Sequence, residues 1–398
     1  MKIKLLVFLL VIFSACGRKN IVTTESVLKI DLLSESRSKV NNISEFATNI
    51  EYIPLQTTEN SLIGNIVRKI VNVGENLYVQ SSEEILCFDI EGKFLFKIEK
   101  RGRGPEEYTF ITDFDISSDN KILTILSSSN RKLLTYGISD TVFTFQRSIS
   151  LSDPIPYKIS ILPETDKIFL AIPPWRGTEP TLSLLINTAG DTIHFKPNCY
   201  KYKMVRKTNY MALNEMLVYS IGNMVCFKEE FSDTVFYVDA KDNFFKPRMI
   251  FDSHGSLGTP EVRGGSETPG NNITSIANIF ETSRYVFYWF NTIANQNCIL
   301  FDKENNMKYK LDIDNRLKTK IKDDLSGGPD FNIEFLNNYC SGGKLFSFVE
   351  AIALKKYIEG NDFKNSDVSD SKKGELKKMA DSLKETDNPV LVIVTLKN

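Results

Sequence analysis

The chain has 398 residues, with 49 Lys+Arg against 50 Asp+Glu, 42% hydrophobic and 25% charged, so it is nearly neutral and of ordinary globular composition. These values exclude a disordered or fibrous chain and a polytopic membrane protein, and a formal net charge of -1 argues against a general nucleic-acid binder, whose surface would be basic. Two histidines, His194 and His254, exclude a His-rich metal site, and 27 Phe with 15 Tyr lean toward β structure.

The first element is a leader. Lys2 and Lys4 precede an unbroken apolar run over residues 5–13. That run is too short to span a membrane, which takes about 20 apolar residues, and it fits the hydrophobic part of a secretory signal. It ends in Phe13-Ser14-Ala15-Cys16, and small residues before a Cys resemble a bacterial lipobox. The expectation is a signal peptide over 1–15, cut before Cys16, with lipidation of Cys16 as a membrane anchor. Residues 16–44 are then a lipidated tether and first strand, and 45–398 the folded body.

Five further cysteines, Cys87, Cys199, Cys226, Cys298 and Cys340, form no C-x-x-C pair, and all but Cys199 sit in apolar or aromatic stretches. They are expected to be buried thiols rather than a disulfide framework.

The body is a series of short Val-, Ile-, Phe-, Tyr- and Leu-rich runs separated by Asn, Asp, Gly and Ser turns, the pattern of an all-β protein. Strands are predicted over 66–73, 76–80, 85–90, 94–98, 114–117 and 121–126. Several are apolar on both faces, as strands packed between sheets would be. A strand–turn–strand unit recurs over 87–98, 134–143, 184–193, 235–244 and 298–307. Its turns fall near residues 91, 139, 189, 241 and 304, roughly every 50 residues with the last interval stretched, the signature of a β-propeller. Five such hairpins plus a blade shared by the two termini predict six blades. The apolar run 390–396 is the expected closing strand, paired with either 27–33 or 51–55.

Tyr52-Ile53-Pro54-Leu55, Phe88-Asp89-Ile90-Glu91-Gly92-Lys93, Arg101-Gly102-Arg103-Gly104-Pro105-Glu106-Glu107-Tyr108, Asp323-Asp324-Leu325-Ser326-Gly327-Gly328-Pro329 and Asp387-Asn388-Pro389-Val390 together resemble a family of six-bladed β-propeller lipoproteins of gut-type anaerobic bacteria, related to NHL-repeat propellers. The resemblance covers the whole mature chain. It implies a fold and an address in the envelope but no activity. Surface-displayed lipoproteins of that group usually carry acidic residues just after the Cys; here Arg18 and Lys19 stand there, which favours the periplasmic face of the outer membrane over the cell surface.

Two helices are predicted within the β body: 315–325, from Leu317, Ile321 and Leu325 at spacing four, and 371–385, a short C-terminal helical insertion with Asp370 or Ser371 as cap. The lysine face of the second could meet anionic lipid or simply be solvated. Asn388-Pro389 stops it.

Chemistry is sparse. The Arg101–Tyr108 loop could grip an anion with Arg101 and Arg103, beside Glu106 and Tyr108, or be an inter-blade turn whose charges pair with each other. Trp175 and Arg176 form a second candidate rim, where the Trp either stacks on a ligand or packs under its loop. Asp252-Ser253-His254 holds the residue types of a triad, but neighbours in sequence cannot build one. Asp113, Asp115 and Asp119, like Asp312 and Asp314, lack the glycine and distal Glu of a calcium loop and read as turn aspartates. Residues 252–275, with five glycines and two prolines, are expected to form a long irregular loop, either a lid or a mobile insert. No metal and no cofactor is implied. The expected protein is a monomeric, non-enzymatic binding or scaffold protein, membrane-attached through its N-terminal lipid, with a glycan, peptide or envelope protein as ligand and no nucleic acid. The alternative is a polysaccharide lyase or hydrolase with a carboxylate, Arg and Tyr site in the propeller funnel.

Overall fold

The computed structural model describes residues 27–64, 67–139, 142–205, 213–270, 273–314, 318–333, 340–341 and 343–398. The leader and Cys16 lie outside the described residues. The described chain is a six-bladed β-propeller.

Three strands come first: β1 (Leu28–Asp31), β2 (Ser38–Val40) and β3 (Ala47–Pro54). Blade 1 follows as β4 (Val67–Val73), β5 (Asn76–Ser81), β6 (Glu84–Asp89) and β7 (Phe94–Ile98). Blade 2 is β8 (Asp113–Ile116), β9 (Ile122–Ser127), β10 (Lys132–Ser139) and β11 (Val142–Ser150). Blade 3 is β12 (Lys158–Ile161), β13 (Ile168–Ala171), β14 (Thr181–Ile186) and β15 (Thr192–Pro197). Blade 4 is β16 (Met216–Ile221), β17 (Met224–Glu229), β18 (Thr234–Asp239) and β19 (Phe244–Asp252). Blade 5 is β20 (Thr274–Glu281), β21 (Tyr285–Thr292), β22 (Gln296–Asp302) and β23 (Met307–Leu311). Blade 6 takes β24 (Cys340–Ser341), β25 (Lys344–Val349) and β26 (Val390–Leu396), and borrows β3 as its outer strand.

All five recurring sequence units are the outer hairpins of blades 1 to 5. The two-sided apolar runs are explained by blade-on-blade packing. Leu86, Cys87 and Phe88 of β6 alternate faces, and all three are inaccessible to solvent. Between blades 3 and 4, Phe169 stacks on Phe227 at 4.8 Å, and Phe227 meets Phe245 edge-on at 5.1 Å. Each such ring contributes about 1.5–3 kcal/mol by burial alone.

The ring closes through β26 and β3, in antiparallel register from Val390↔Pro54 to Thr395↔Asn49. Of the two expected partners the later segment is the right one, and its strand begins earlier, at Ala47. The earlier segment has a different task. β1 adds in parallel to β19 as a fifth strand of blade 4, and β2 adds in parallel to β23 as a fifth strand of blade 5. The strap covers two outer edges that would otherwise expose unpaired backbone, and it buries Ile30, Leu32 and Val40. The propeller therefore includes residues from Leu28 onward, and a boundary at residue 45 would cut through two of its blades.

Because neighbouring strands run antiparallel, the turns joining first to second and third to fourth strands gather on one face. The longer connections within and between blades gather on the other. The second, loop-rich face carries the helical insertion between β25 and β26. This comprises α2 (Ala351–Glu359), α3 (Asn361–Lys364) and α4 (Asp370–Ser382), preceded in the chain by the five-residue α1 (Pro260–Gly264), from which the helix count starts. The helix expected over 371–385 is α4, capped one residue earlier than expected, by Ser369. Its lysines are largely occupied: Lys372 donates to the Leu325 carbonyl, Lys373 to that of Lys364, and Lys377 pairs with Asp381.

Two expectations are corrected. The described part of 315–325 is not helical: Ile321 bridges Phe331 in antiparallel fashion and Lys322 bridges Asn42. Burying Ile321 against Phe331 in the core outweighs a weak spacing-four stripe. Residues 252–275 are not wholly irregular either. α1 is capped by the Thr259 hydroxyl and ended by Gly265 at φ +78°, so Thr-Pro-Glu with a following glycine was a readable helix signal.

Candidate functional site: the central channel

The first strands of blades 1 to 5, with Gly343 and the chain end of blade 6, line a channel of about 800 Å³. Its mouth lies on the turn face, ringed by Gly74, Ser118, Pro163, Gly222, Ser283 and Gly343, one turn residue from each blade. Gly74 and Gly222 hold φ of +57° and +53°, which lets tight two-residue turns form without a side chain narrowing the opening. Just inside, Val73, Ile161, Ile221 and Met224 form a half-buried apolar collar.

Deeper in the channel, blades 1 to 3 place Lys69, Asp113, Asp115 and Lys158 together. The Lys69 ammonium donates to Asp113 Oδ1 at 2.9 Å and to the Phe114 carbonyl at 2.6 Å. The other Asp113 oxygen accepts the Ile159 amide at 2.9 Å. Asp115 Oδ2 accepts the Ile161 amide at 2.8 Å and the Ser160 hydroxyl at 3.2 Å, while its Oδ1 accepts the Ile116 amide at 2.9 Å. The two carboxylates thus staple β8 to the backbone of β12, where no strand ladder joins the blades. Burial raises Asp115 above the ordinary carboxylate value, opposed by Lys69. Lys158 differs from its neighbours: it lines the channel, and among the described residues its ammonium has no hydrogen-bond partner. Burial holds it below the ordinary lysine value; Asp113 opposes this and Lys69 adds to it.

Nearer the mouth, Glu281 is fully enclosed. It accepts from Tyr219 at 2.9 Å, Arg248 at 2.9 Å and Lys303 at 2.6 Å, which ties blade 4 to blade 5. A further acidic cluster sits toward the loop face between blades 3 and 4. Glu215 pairs with Arg263 of α1, and Glu229 pairs with Lys196. Glu230 is pushed up to about 7 by burial and by Glu215, against Lys228 and Arg263.

None of the six residues singled out in the two rim loops lines the channel. Tyr108 is buried, with its hydroxyl donating to the carbonyls of Glu83 at 3.0 Å and Ile98 at 3.3 Å, and accepting the Lys100 amide at 3.1 Å. Glu107 folds back onto the Gly104 amide at 2.8 Å. A Cβ on Gly102 would lie 1.8 Å from that carboxylate, which explains the glycine. Arg101, Arg103 and Glu106 stay exposed on this fastened loop. Trp175 is half-buried, edge-on to Tyr157 at 4.7 Å, so it packs under its loop. Arg176 is held by Glu179 at 3.4 Å and Asp153 at 3.9 Å.

His254 faces Asp31 at 3.1 Å, whereas the Ser253 hydroxyl is buried away from any partner, so the two do not act together. His194 packs on Phe244 and Phe245. Asp119 caps a turn through Ser117 and Lys121, as expected, but Asp113 and Asp115 are channel residues rather than turn aspartates. Among the described residues, no group of three or more His, Cys, Asp or Glu is placed to hold a metal ion, and no helix is long and apolar enough to cross a membrane.

Residues 27–395 match the family described as a domain of unknown function, DUF4934. The chain belongs to this family. Its fold matches that of a Bacteroides fragilis protein described as exported, with a TM-score of 0.64 at 17% identity over 94% of this chain and 99% of that one. A Bacteroides vulgatus member of the DUF4221 family aligns at TM-score 0.47 and 10% identity, over 88% of this chain and 97% of that one. No curated protein matches. In this DUF4934 chain the motifs behind the sequence resemblance are fasteners. Tyr52 of Tyr-Ile-Pro-Leu donates to Asp323 of Asp-Asp-Leu-Ser-Gly-Gly-Pro at 3.0 Å, and a Cβ on Gly328 would lie 2.0 Å from that hydroxyl. Lys69, Lys158 and Glu281 escaped notice because each sits singly among apolar residues, and Asp113 and Asp115 were read as turn residues. The signal was the period-two pattern Asp113-Phe114-Asp115-Ile116 and Lys158-Ile159-Ser160-Ile161.

Proposed function

We propose that the chain is an exported lipoprotein, anchored through Cys16 at the periplasmic face of the outer membrane, whose propeller holds a ligand in its central channel without transforming it. The observation that carries this reading is the commitment of the channel carboxylates. Asp113, Asp115 and Glu281 accept hydrogen bonds from backbone amides, hydroxyls or cations of the neighbouring blades. A lyase or glycosidase needs a carboxylate free to give or take a proton at the substrate. Among the described residues, the charged channel group left without a partner is the Lys158 ammonium, which suits recognition. The leader pattern and the fold shared with an exported Bacteroides fragilis protein support the address.

Two measurements test the reading. Mass analysis of the mature N-terminus should find an acylated Cys16; an unmodified thiol there removes the anchor. Native mass spectrometry of the chain after exposure to cell-envelope extract should find a retained small molecule, lost when Ser220, an exposed channel residue, is replaced by Trp. Equal retention by the Ser220→Trp variant, or turnover of envelope glycans by the unaltered chain, overturns the channel-binding reading.

A further inference from the structure

We infer that the channel is a site for an amphipathic monocarboxylate, its carboxylate on Lys158 and its apolar body in the collar behind the mouth. The inference rests on the channel-binding reading and names the ligand class. It follows from two independent features that lie in order along one cavity.

The first is the bonding state of the charged groups. Four of them meet deep in the channel, and three are spent. Lys69 uses its ammonium on Asp113 and on the Phe114 carbonyl. Asp113 and Asp115 are filled by β12 amides and by the Ser160 hydroxyl. Lys158 alone of the four retains all three N–H donors without a protein acceptor in hydrogen-bond range, and it lines the cavity. A half-buried ammonium that keeps its donors unmet gains most from a charged acceptor, because charge-assisted hydrogen bonds strengthen where water is scarce. An anion is the partner whose charge and lone pairs fit. One ammonium, with no second free cation among the described channel residues, suits a singly charged carboxylate better than a phosphate.

The second feature is the wall between that ammonium and solvent. Lys158 begins β12 and Pro163 follows its end at the mouth, so a ligand reaching Lys158 passes Ile161 on the same strand. Val73, Ile221 and Met224 face the same stretch from blades 1 and 4. These side chains are only half-buried in the free protein, and covering them releases further apolar surface from water. A volume of about 800 Å³ holds a ten-carbon chain with its head group. A sugar acid or a short acidic peptide would leave hydroxyls or amides against this collar without partners.

The probe is decanoate, with decanol as the matched neutral compound, titrated calorimetrically into the purified chain. Decanoate should bind at least tenfold more tightly than decanol. Lys158→Met should weaken decanoate binding at least tenfold and leave decanol unchanged, whereas Lys158→Arg should retain most of the decanoate affinity. Lys121→Met, at an exposed lysine outside the channel lining, should change nothing. Unchanged melting temperatures for the Met and Arg variants establish that each is folded, and the Arg variant alone suffices if the Met variant is not. The proposal fails if Lys158→Met binds decanoate like the unaltered chain, or if decanoate and decanol bind alike. It also fails if decanoate does not bind at all. In that case retention of an envelope molecule that Ser220→Trp abolishes leaves the channel reading standing, and its absence brings both down.

Discussion

The side-chain amide of Asn388 donates a 2.7 Å hydrogen bond to the carbonyl of Ser61, a residue 327 positions earlier in the chain. The same amide donates to the Gln56 carbonyl at 2.9 Å, and its oxygen accepts the Ile63 amide at 2.9 Å. One buried side chain therefore fastens the segment leading into blade 1 to the start of the strand that closes the ring. Pro389, which lacks an N–H, follows where no ladder donor is required.

Replacing Asn388 by Ala should cost roughly 2 kcal/mol, because it removes three hydrogen bonds and strands the buried Ser61 carbonyl. Equilibrium urea unfolding measures this. Unfolding at the same midpoint as the unaltered chain would show that the segment 56–63 is held by other contacts.

Removing residues 389–398 should be far more damaging. Val390 to Val394 are all buried, and at about 1.5–3 kcal/mol each their loss approaches the whole stability of a typical domain. The truncated chain should lose its cooperative melting transition and aggregate through the exposed edges of β25 and β3. A soluble product with an unchanged melting temperature would mean that the ring closes without β26.

Thiol labelling should divide sharply. Cys87, Cys226 and Cys298 are free and buried, and burial raises each thiol, Cys87 and Cys226 to about 12. Cys199 is free and exposed. Alkylation under native conditions should modify Cys199 within minutes and the three buried thiols only on the timescale of opening. Comparable rates at Cys87 and Cys199, read by peptide mass spectrometry, would contradict the packing of blade 1.

Stability should fall as pH rises from about 4.5 to about 7. Glu230 holds its proton up to about 7 in the fold, against an ordinary value of 4.5, so the folded state binds more protons than the unfolded chain across that window. Ionisation then places a charge in a buried site beside Glu215. Glu230→Gln should flatten the dependence, with its advantage over the unaltered chain appearing above pH 7 and closing below pH 4.5. A variant whose melting temperature tracks the unaltered chain at every pH would assign the dependence elsewhere.

Blade number was readable because each outer hairpin repeats an apolar strand, an Asx- or Gly-containing turn and a second strand, as at Cys87–Phe96 and Leu185–His194. The closing strand was readable because 390–396 is apolar on both faces. The strap was not: Leu28–Asp31 and Ser38–Val40 are too short to carry a period, and their parallel pairing with β19 and β23 depends on partners more than 200 residues away. The channel cluster was missed for a related reason. Arg101, Arg103 and Trp175 stand out in sequence because they cluster in loops, whereas Lys69, Asp113 and Lys158 converge only once three blades are arranged around an axis. Helix α2 was missed, although Ala351, Leu354 and Ile358 have a spacing that fits one buried stripe.

The direction of the strap also bears on which way the opening would look if the chain were anchored by its N-terminus. β1 runs parallel to β19, away from the turn face, so the chain arrives at Leu28 from the side on which the channel opens. A lipid on Cys16 would lie about twelve residues upstream, a leash of at most about 40 Å. On that leash the propeller would hang mouth-down over the bilayer. A guest that partitions into the membrane would then reach Lys158 by lateral diffusion beneath the protein, at a local concentration far above that in the surrounding water. The same propeller cut free of its lipid would have to collect that guest from solution.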